Sequence, residues 1–155
     1  MSLSDHFDLE QFLPYRLNRA AEAVSVGFAV NYRARHGMTR SEWRALALLG
    51  ATGGITATEI TRHSGMHKTK VSRAVAALES RGWLARTADP DDRRLERLEL
   101  TSAGVSAFAD LIEVAKAYED GLHARLGDEG FAALQAALAA IETALPASTE
   151  EREAI

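Results

Sequence analysis

The sequence contains no cysteine and only three prolines among its 155 residues. The first absence excludes disulfides, thiolate metal ligands and any cysteine-based redox switch. No apolar run approaches the roughly 18 residues of a membrane span. The opening MSLSDHFDLE has neither a basic n-region nor an apolar h-region. These absences predict a cytoplasmic chain with no membrane partner. There is no internal repeat, linker or low-complexity tract. A hydrophobic content of 46% and a charged content of 26% are globular values, so a single domain over residues 1–155 is expected.

Basic residues are also in deficit, with 18 Lys and Arg against 22 Asp and Glu and a net charge of −4. Taken whole, that balance argues against a nucleic-acid partner; its distribution argues for one. Residues 1–61 are neutral overall, residues 62–97 carry +4 and residues 98–155 carry −8. A basic centre beside an acidic tail region suits local contact with a polyanion.

A catalytic constellation is missing too. His63 and His67 stand four apart, but Gly65 interrupts the helix between them, so no shared metal-binding face is expected. Gly50-Ala51-Thr52-Gly53-Gly54 has the glycines of a phosphate loop without the Lys and Ser/Thr that should follow, and reads as a helix-to-strand turn. No G-x-S-x-G elbow occurs. No enzyme activity, metal or cofactor is expected.

What is present is helical punctuation. A short element around Leu9, Phe12 and Leu13 is predicted to precede a helix from about Pro14 to His36, stopped by Gly37. Thr39-Arg40-Ser41-Glu42 and Thr56-Ala57-Thr58-Glu59 read as capping boxes, the first opening a helix to about Ala51 and the second one to about His63. Ser64-Gly65-Met66 makes a tight turn into a helix from about His67 to Arg81, ended by Gly82. Strands are predicted at Trp83–Thr87 and Leu95–Leu100. Thr101 and Ser102 then cap a long helix that breaks at Gly127-Asp128 and restarts. The restarted part carries Phe131, Leu134, Leu138, Ile141 and Leu145 in one seam until Pro146. One small subunit cannot cover so much apolar stripe, so a homodimer through residues 9–32 and 105–145 is expected.

Helix, turn, helix and hairpin together make a winged helix. On the second helix Val71, Val75 and Leu78 fall on one side, while Thr69, Arg73, Ala76 and Ser80 fall opposite, flanked by Lys70 and Ser72. An ordinary surface helix would show acids there, whereas this face has none before Glu79. Such a face fits a major groove. Thr69, Lys70 and Arg73 are the candidates for base edges, with Lys68 and Ser72 as phosphate contacts. The rival reading is a winged helix that binds another protein without DNA. It would more often expose apolar or acidic residues at Thr69, Lys70 and Arg73.

The run MHKTKVSRAVAALESRGWLARTADPDDRRLERLELTSAG resembles the core of MarR-type bacterial transcriptional regulators, and FLPYRLN and EWRALALLG extend the likeness over nearly the whole chain. The resemblance implies a mainly α (α+β) winged helix-turn-helix fold. It places the DNA-binding lobe at residues 39–100 and the dimerisation helices at 1–36 and 101–146. It further implies a homodimeric regulator, read as a repressor, gripping pseudo-palindromic duplex DNA and released by a small aromatic acid or its coenzyme A thioester. By the same resemblance Arg94 enters the minor groove, steadied by Asp92. Arg93 beside it is a candidate for a phosphate contact. His67 departs from the pattern, because many relatives carry an acid there; a histidine adds a possible phosphate contact. Tyr15, Arg16, Trp43 and Arg44 are the candidates for effector binding, an arginine pairing with a carboxylate or phosphate.

Overall fold

The computed structural model describes residues 7–145. They fall into two units, one ending at Gly37 and one beginning at Met38. Pro146, expected to stop the last helix, lies outside the described residues.

In the first unit, Asp8 caps a 3-10 turn over Leu9–Gln11 by accepting the Glu10 amide at 3.0 Å. Helix α1 follows over Leu13–His36, with Pro14 in its first turn and Gly37 stopping it in the left-handed region at φ 61°. Glu10 of the turn pairs with Arg19 of the helix. Phe28, Ala29 and Tyr32 of α1 are buried, whereas Leu13, Leu17, Val24, Val26 and Val30 are exposed. The expected stripe is therefore only partly covered.

The second unit runs α2 (Arg40–Thr52), α3 (Ala57–Ser64), α4 (Lys68–Ser80), β1 (Leu84–Ala88), β2 (Glu96–Leu100) and α5 (Ser102–Ala144). Its core gathers Ala45, Leu46 and Leu49 of α2, Ile60 of α3, Val71, Ala74, Val75 and Leu78 of α4, Leu84 and Leu98 of the strands, and Ala107 and Leu111 of α5. The strands pair antiparallel, Leu84 opposite Leu100 and Ala88 opposite Glu96. Ile55 adds an isolated rung on Leu98, so the expected helix-to-strand turn is confined to Gly53-Gly54, while Gly50, Ala51 and Thr52 belong to α2.

The finer details follow expectation in part. The capping box at Thr56 is complete, Thr56 and Glu59 each accepting the other's amide. At Thr39 only half forms: the Thr39 hydroxyl accepts from the Glu42 amide, but the Glu42 carboxylate goes to Arg81 at 3.1 Å. Both strands begin one residue later than predicted. Trp83 is taken by the end of α4, where its amide donates to Leu78 and the Gly82 amide to Glu79 in a Schellman arrangement. Leu95 closes the loop, its amide donating to Asp92. Helix α5 consists of two helical segments that meet at Gly127, which is out of helical geometry at φ 72° and ψ 166°. That is the predicted break, expressed as a kink.

Candidate nucleic-acid interface

The turn between α3 and α4 is sharp because Gly65 caps α3 in the left-handed region, its amide donating to Thr61. Met66 anchors the turn in the core. His67 then takes the N-cap of α4, its Nδ1 accepting from the Thr69 amide at 3.2 Å. Nδ1 must keep its lone pair to do so, and in the neutral ring the proton then sits on Nε2. The sequence pattern did not reveal this capping role, because histidine is not among the preferred cap residues.

Helix α4 presents two faces. Val71, Ala74, Val75 and Leu78 are buried; Lys68, Thr69, Lys70, Ser72, Arg73 and Ala76 are exposed. The structure thus brings the five predicted contact residues of α4 onto one solvent-facing surface. Three of them are cationic, and no acid lies among them. A short, hydroxylic and basic helix face is the shape and charge that a major groove admits.

Beyond α4 the chain is fastened at the base of the hairpin. Arg81 pairs with Glu42 of α2, and its guanidinium lies 5.1 Å from the Trp83 ring centroid. The Thr101 hydroxyl donates to the Gly82 carbonyl at 2.6 Å, and the Thr101 amide donates to the Trp83 carbonyl. Gly104, in the first turn of α5, lies so close to that carbonyl that a Cβ would stand 2.1 Å from it.

The loop Asp89–Leu95 rises from this base. Its organiser is Asp89, which the sequence reading passed over. One Asp89 carboxylate oxygen accepts from the amides of Asp91 and Asp92 at 2.8 and 3.1 Å. Those two bonds hold the Asp89 carboxyl below the ordinary aspartate range. The signal was present in Asp-Pro, a frequent turn opener. Asp92 in turn accepts from the Arg94 amide at 3.0 Å, and its oxygen lies 3.9 Å from the Arg94 Nε. The Arg94 side chain is 94% exposed. Carboxylates therefore shape the loop, and it carries two adjacent arginines, Arg93 and Arg94, at its exposed end.

The four effector candidates are placed as follows. On α1, Tyr15 is half-buried with the Arg19 guanidinium 5.6 Å from its ring centroid, and Arg16 is exposed. On α2, Trp43 is half-buried and Arg44 is exposed. Among the described residues no group of three or more His, Cys, Asp or Glu is arranged to hold a metal, and no helix is long and apolar enough to cross a membrane.

Known proteins are similar to this chain in sequence and fold. A family model described as the MarR family matches residues 36–95, from the end of α1 through the hairpin loop. The transcriptional repressor CouR, solved bound to a 23-mer DNA duplex, is 33% identical over 91% of this chain and 97% of its own, with a TM-score of 0.75. The MarR family regulator SPO1453 from Silicibacter pomeroyi DSS-3 is 29% identical over 90% of this chain and 98% of its own, with a TM-score of 0.80. A putative transcriptional regulatory protein for the hcr operon of Thauera aromatica is 24% identical over 123 residues, covering 79% of this chain and 74% of that protein. A repressor one third identical matches the chain almost end to end, and the family model spans its helix-turn-helix and hairpin loop; the chain belongs to the MarR family of transcriptional regulators.

Proposed function

We propose that this protein is a ligand-responsive repressor that binds pseudo-palindromic duplex DNA as a homodimer. The observation that carries the reading is the exposed face of α4, with Lys68, Thr69, Lys70, Ser72 and Arg73 clear of acids, followed in the same unit by a loop ending in Arg93 and Arg94. In this reading Thr69, Lys70 and Arg73 meet base edges in the major groove, and Lys68, Ser72 and the Nε2 proton of His67 meet phosphates. Arg94, held by Asp92, enters the flanking minor groove, and Arg93 serves a phosphate.

Dimerisation is assigned to the terminal helices, because the exposed large apolar side chains concentrate there: Leu13, Val26 and Val30 on α1, and Leu126, Leu134 and Leu138 on α5. Effector release is assigned to a small aromatic acid or its coenzyme A thioester. Arg44, which follows Trp43 on α2, and Arg16, which follows Tyr15 on α1, are exposed cations able to pair with a carboxylate or phosphate. Such a ligand weakens DNA binding by the ratio of its affinities for the two states.

The test is retention on duplex DNA carrying the flanking promoter region, titrated with salt. Binding whose logarithm falls steeply with the logarithm of salt is expected, and weaker retention after Lys70→Ala or Arg73→Ala. Retention that ignores salt and both substitutions would overturn the assignment. Release by an aromatic carboxylate or thioester, and not by peroxide, is expected of the effector.

A further inference from the structure

Arg86 is the wing arginine that bonds to the recognition helix. Cross-strand partners share a face, so Leu84, Arg86 and Ala88 of β1 lie on the same side as Leu100, Leu98 and Glu96 of β2. On that side Leu84, at the base, and Leu98, directly opposite Arg86, are buried in the core. From Arg86 and Glu96 onward it turns charged. There Arg86 forks: its Nε donates to Glu79 at 3.1 Å and its Nη1 to Glu96 at 3.0 Å. Glu79 belongs to the last turn of α4, and Glu96 is the first residue after the loop.

The position of Glu79 calls for a reason. An acid in the last turn of a helix opposes the macrodipole, and this one ends the helix whose exposed face is otherwise free of acids. Its carboxylate serves as the helix-side anchor for Arg86. Of the other fastenings of the hairpin, the Thr101 bonds to Gly82 and Trp83 lie at its base, and the Ile55–Leu98 rung lies level with Arg86, on the other strand. Beyond that level the hairpin is a cantilever, and a tilt of the loop relative to α4 strains the Arg86–Glu79 prong, the one that joins the two elements.

We propose that Arg86 is a positioning residue that couples the wing to the recognition helix, setting where Arg94 lies relative to the exposed face of α4. The inference rests on the DNA-binding reading above. It predicts that Arg86 contributes to flank recognition although it reaches no base. A planar guanidinium bonding two carboxylates at once is central to this role, so lysine, which keeps the charge and loses the fork, does not replace it.

The experiment compares wild type with Arg86→Lys, Arg86→Ala and Glu79→Gln on duplexes that share a core site and carry either A·T-rich or G·C-rich flanks. Melting temperatures are taken alongside. The expected result is that all three variants lower the ratio of affinities between the two flanks by about threefold to tenfold, the size that two exposed ion pairs can carry. Affinity for the G·C-flanked duplex should change less. A different pattern would make Arg86 a mere compensator of nearby acids: Arg86→Lys matching wild type, Arg86→Ala weakening both duplexes equally, and Glu79→Gln tightening both. That outcome overturns the proposal while leaving DNA binding standing. If wild type retains neither duplex, both readings fall together. Should Arg86→Ala melt early, Arg86→Lys and Glu79→Gln still decide the question.

Discussion

Between Met38 and Leu100 one large apolar side chain, Leu95, is exposed; in the described residues on either side thirteen are. The winged helix closes its own core, with four helices' worth of apolar residues and a hairpin packed so tightly that Gly104 has no room for a methyl group. The terminal helices do not close theirs. Two kinds of helix thus coexist in one chain: α4 is amphipathic for its own lobe, whereas α1 and the far part of α5 carry apolar surface beyond what their own units bury. Uncovered stripe of this extent is what a partner copy would cover.

The sharpest way to break this comparison is to charge the uncovered stripe. Leu134→Asp with Leu138→Asp should forfeit about 3–6 kcal/mol of burial per subunit, at 1.5–3 kcal/mol per leucine. Sedimentation should then show a monomer whose winged helix still melts cooperatively, and a dimer of unchanged strength would refute the contrast. The converse is Gly104→Ala, placed against the Trp83 carbonyl. It should cost about 3 kcal/mol, the upper end of the overpacking range. Calorimetry should register that loss as a lower melting temperature, with association unaffected.

Changes to the exposed wing loop should touch neither fold nor association. Arg94→Ala is expected to cost about 1–3 kcal/mol of operator binding, with less preference for A·T flanks. Asp92→Ala should cost less, and little more once Arg94 is gone; titration calorimetry on the three variants checks the non-additivity. Smaller still is the capping contribution of Thr56. Its replacement by alanine should lower stability by about 1 kcal/mol in a denaturant melt.

The Glu59 half of that box has a pH signature. The Thr56 amide, then the Thr56 hydroxyl, hold the Glu59 carboxyl below the ordinary glutamate range. A carboxylate with a depressed folded-state pKa contributes stability above its unfolded pKa and loses it as pH falls through the folded one. Glu59→Gln should therefore flatten the acid limb of the stability profile slightly and leave the neutral region almost unchanged.

The periodic and punctuated parts of this fold were legible in advance. Capping residues, stop glycines and the two faces of α4 are local codes, written within one or two helical turns, and Thr56, Gly37 and Val71 occupy the places those codes assign. What escaped was non-local or atypical. Glu42 leaves its capping box because Arg81, 39 residues away, claims it. Ile55 joins the hairpin through a single rung to Leu98. The Arg86 fork needs α4 and both strands assembled before its partners meet. His67 caps a helix with a ring nitrogen that no cap preference favours, and Asp89 was hidden among acids that looked alike.

The kink at Gly127 bears on one more property of the chain. Each helical residue advances the direction of its side chain by about 100°, so a helix is a dial whose setting at one end dictates the setting at the other. A single residue at φ 72°, ψ 166° resets that dial. The residues before it point Ala107 and Leu111 into the lobe, and those after it hold Leu134 and Leu138 outward. One glycine frees the two phases from each other, so selection on the outward seam need not disturb the inward one.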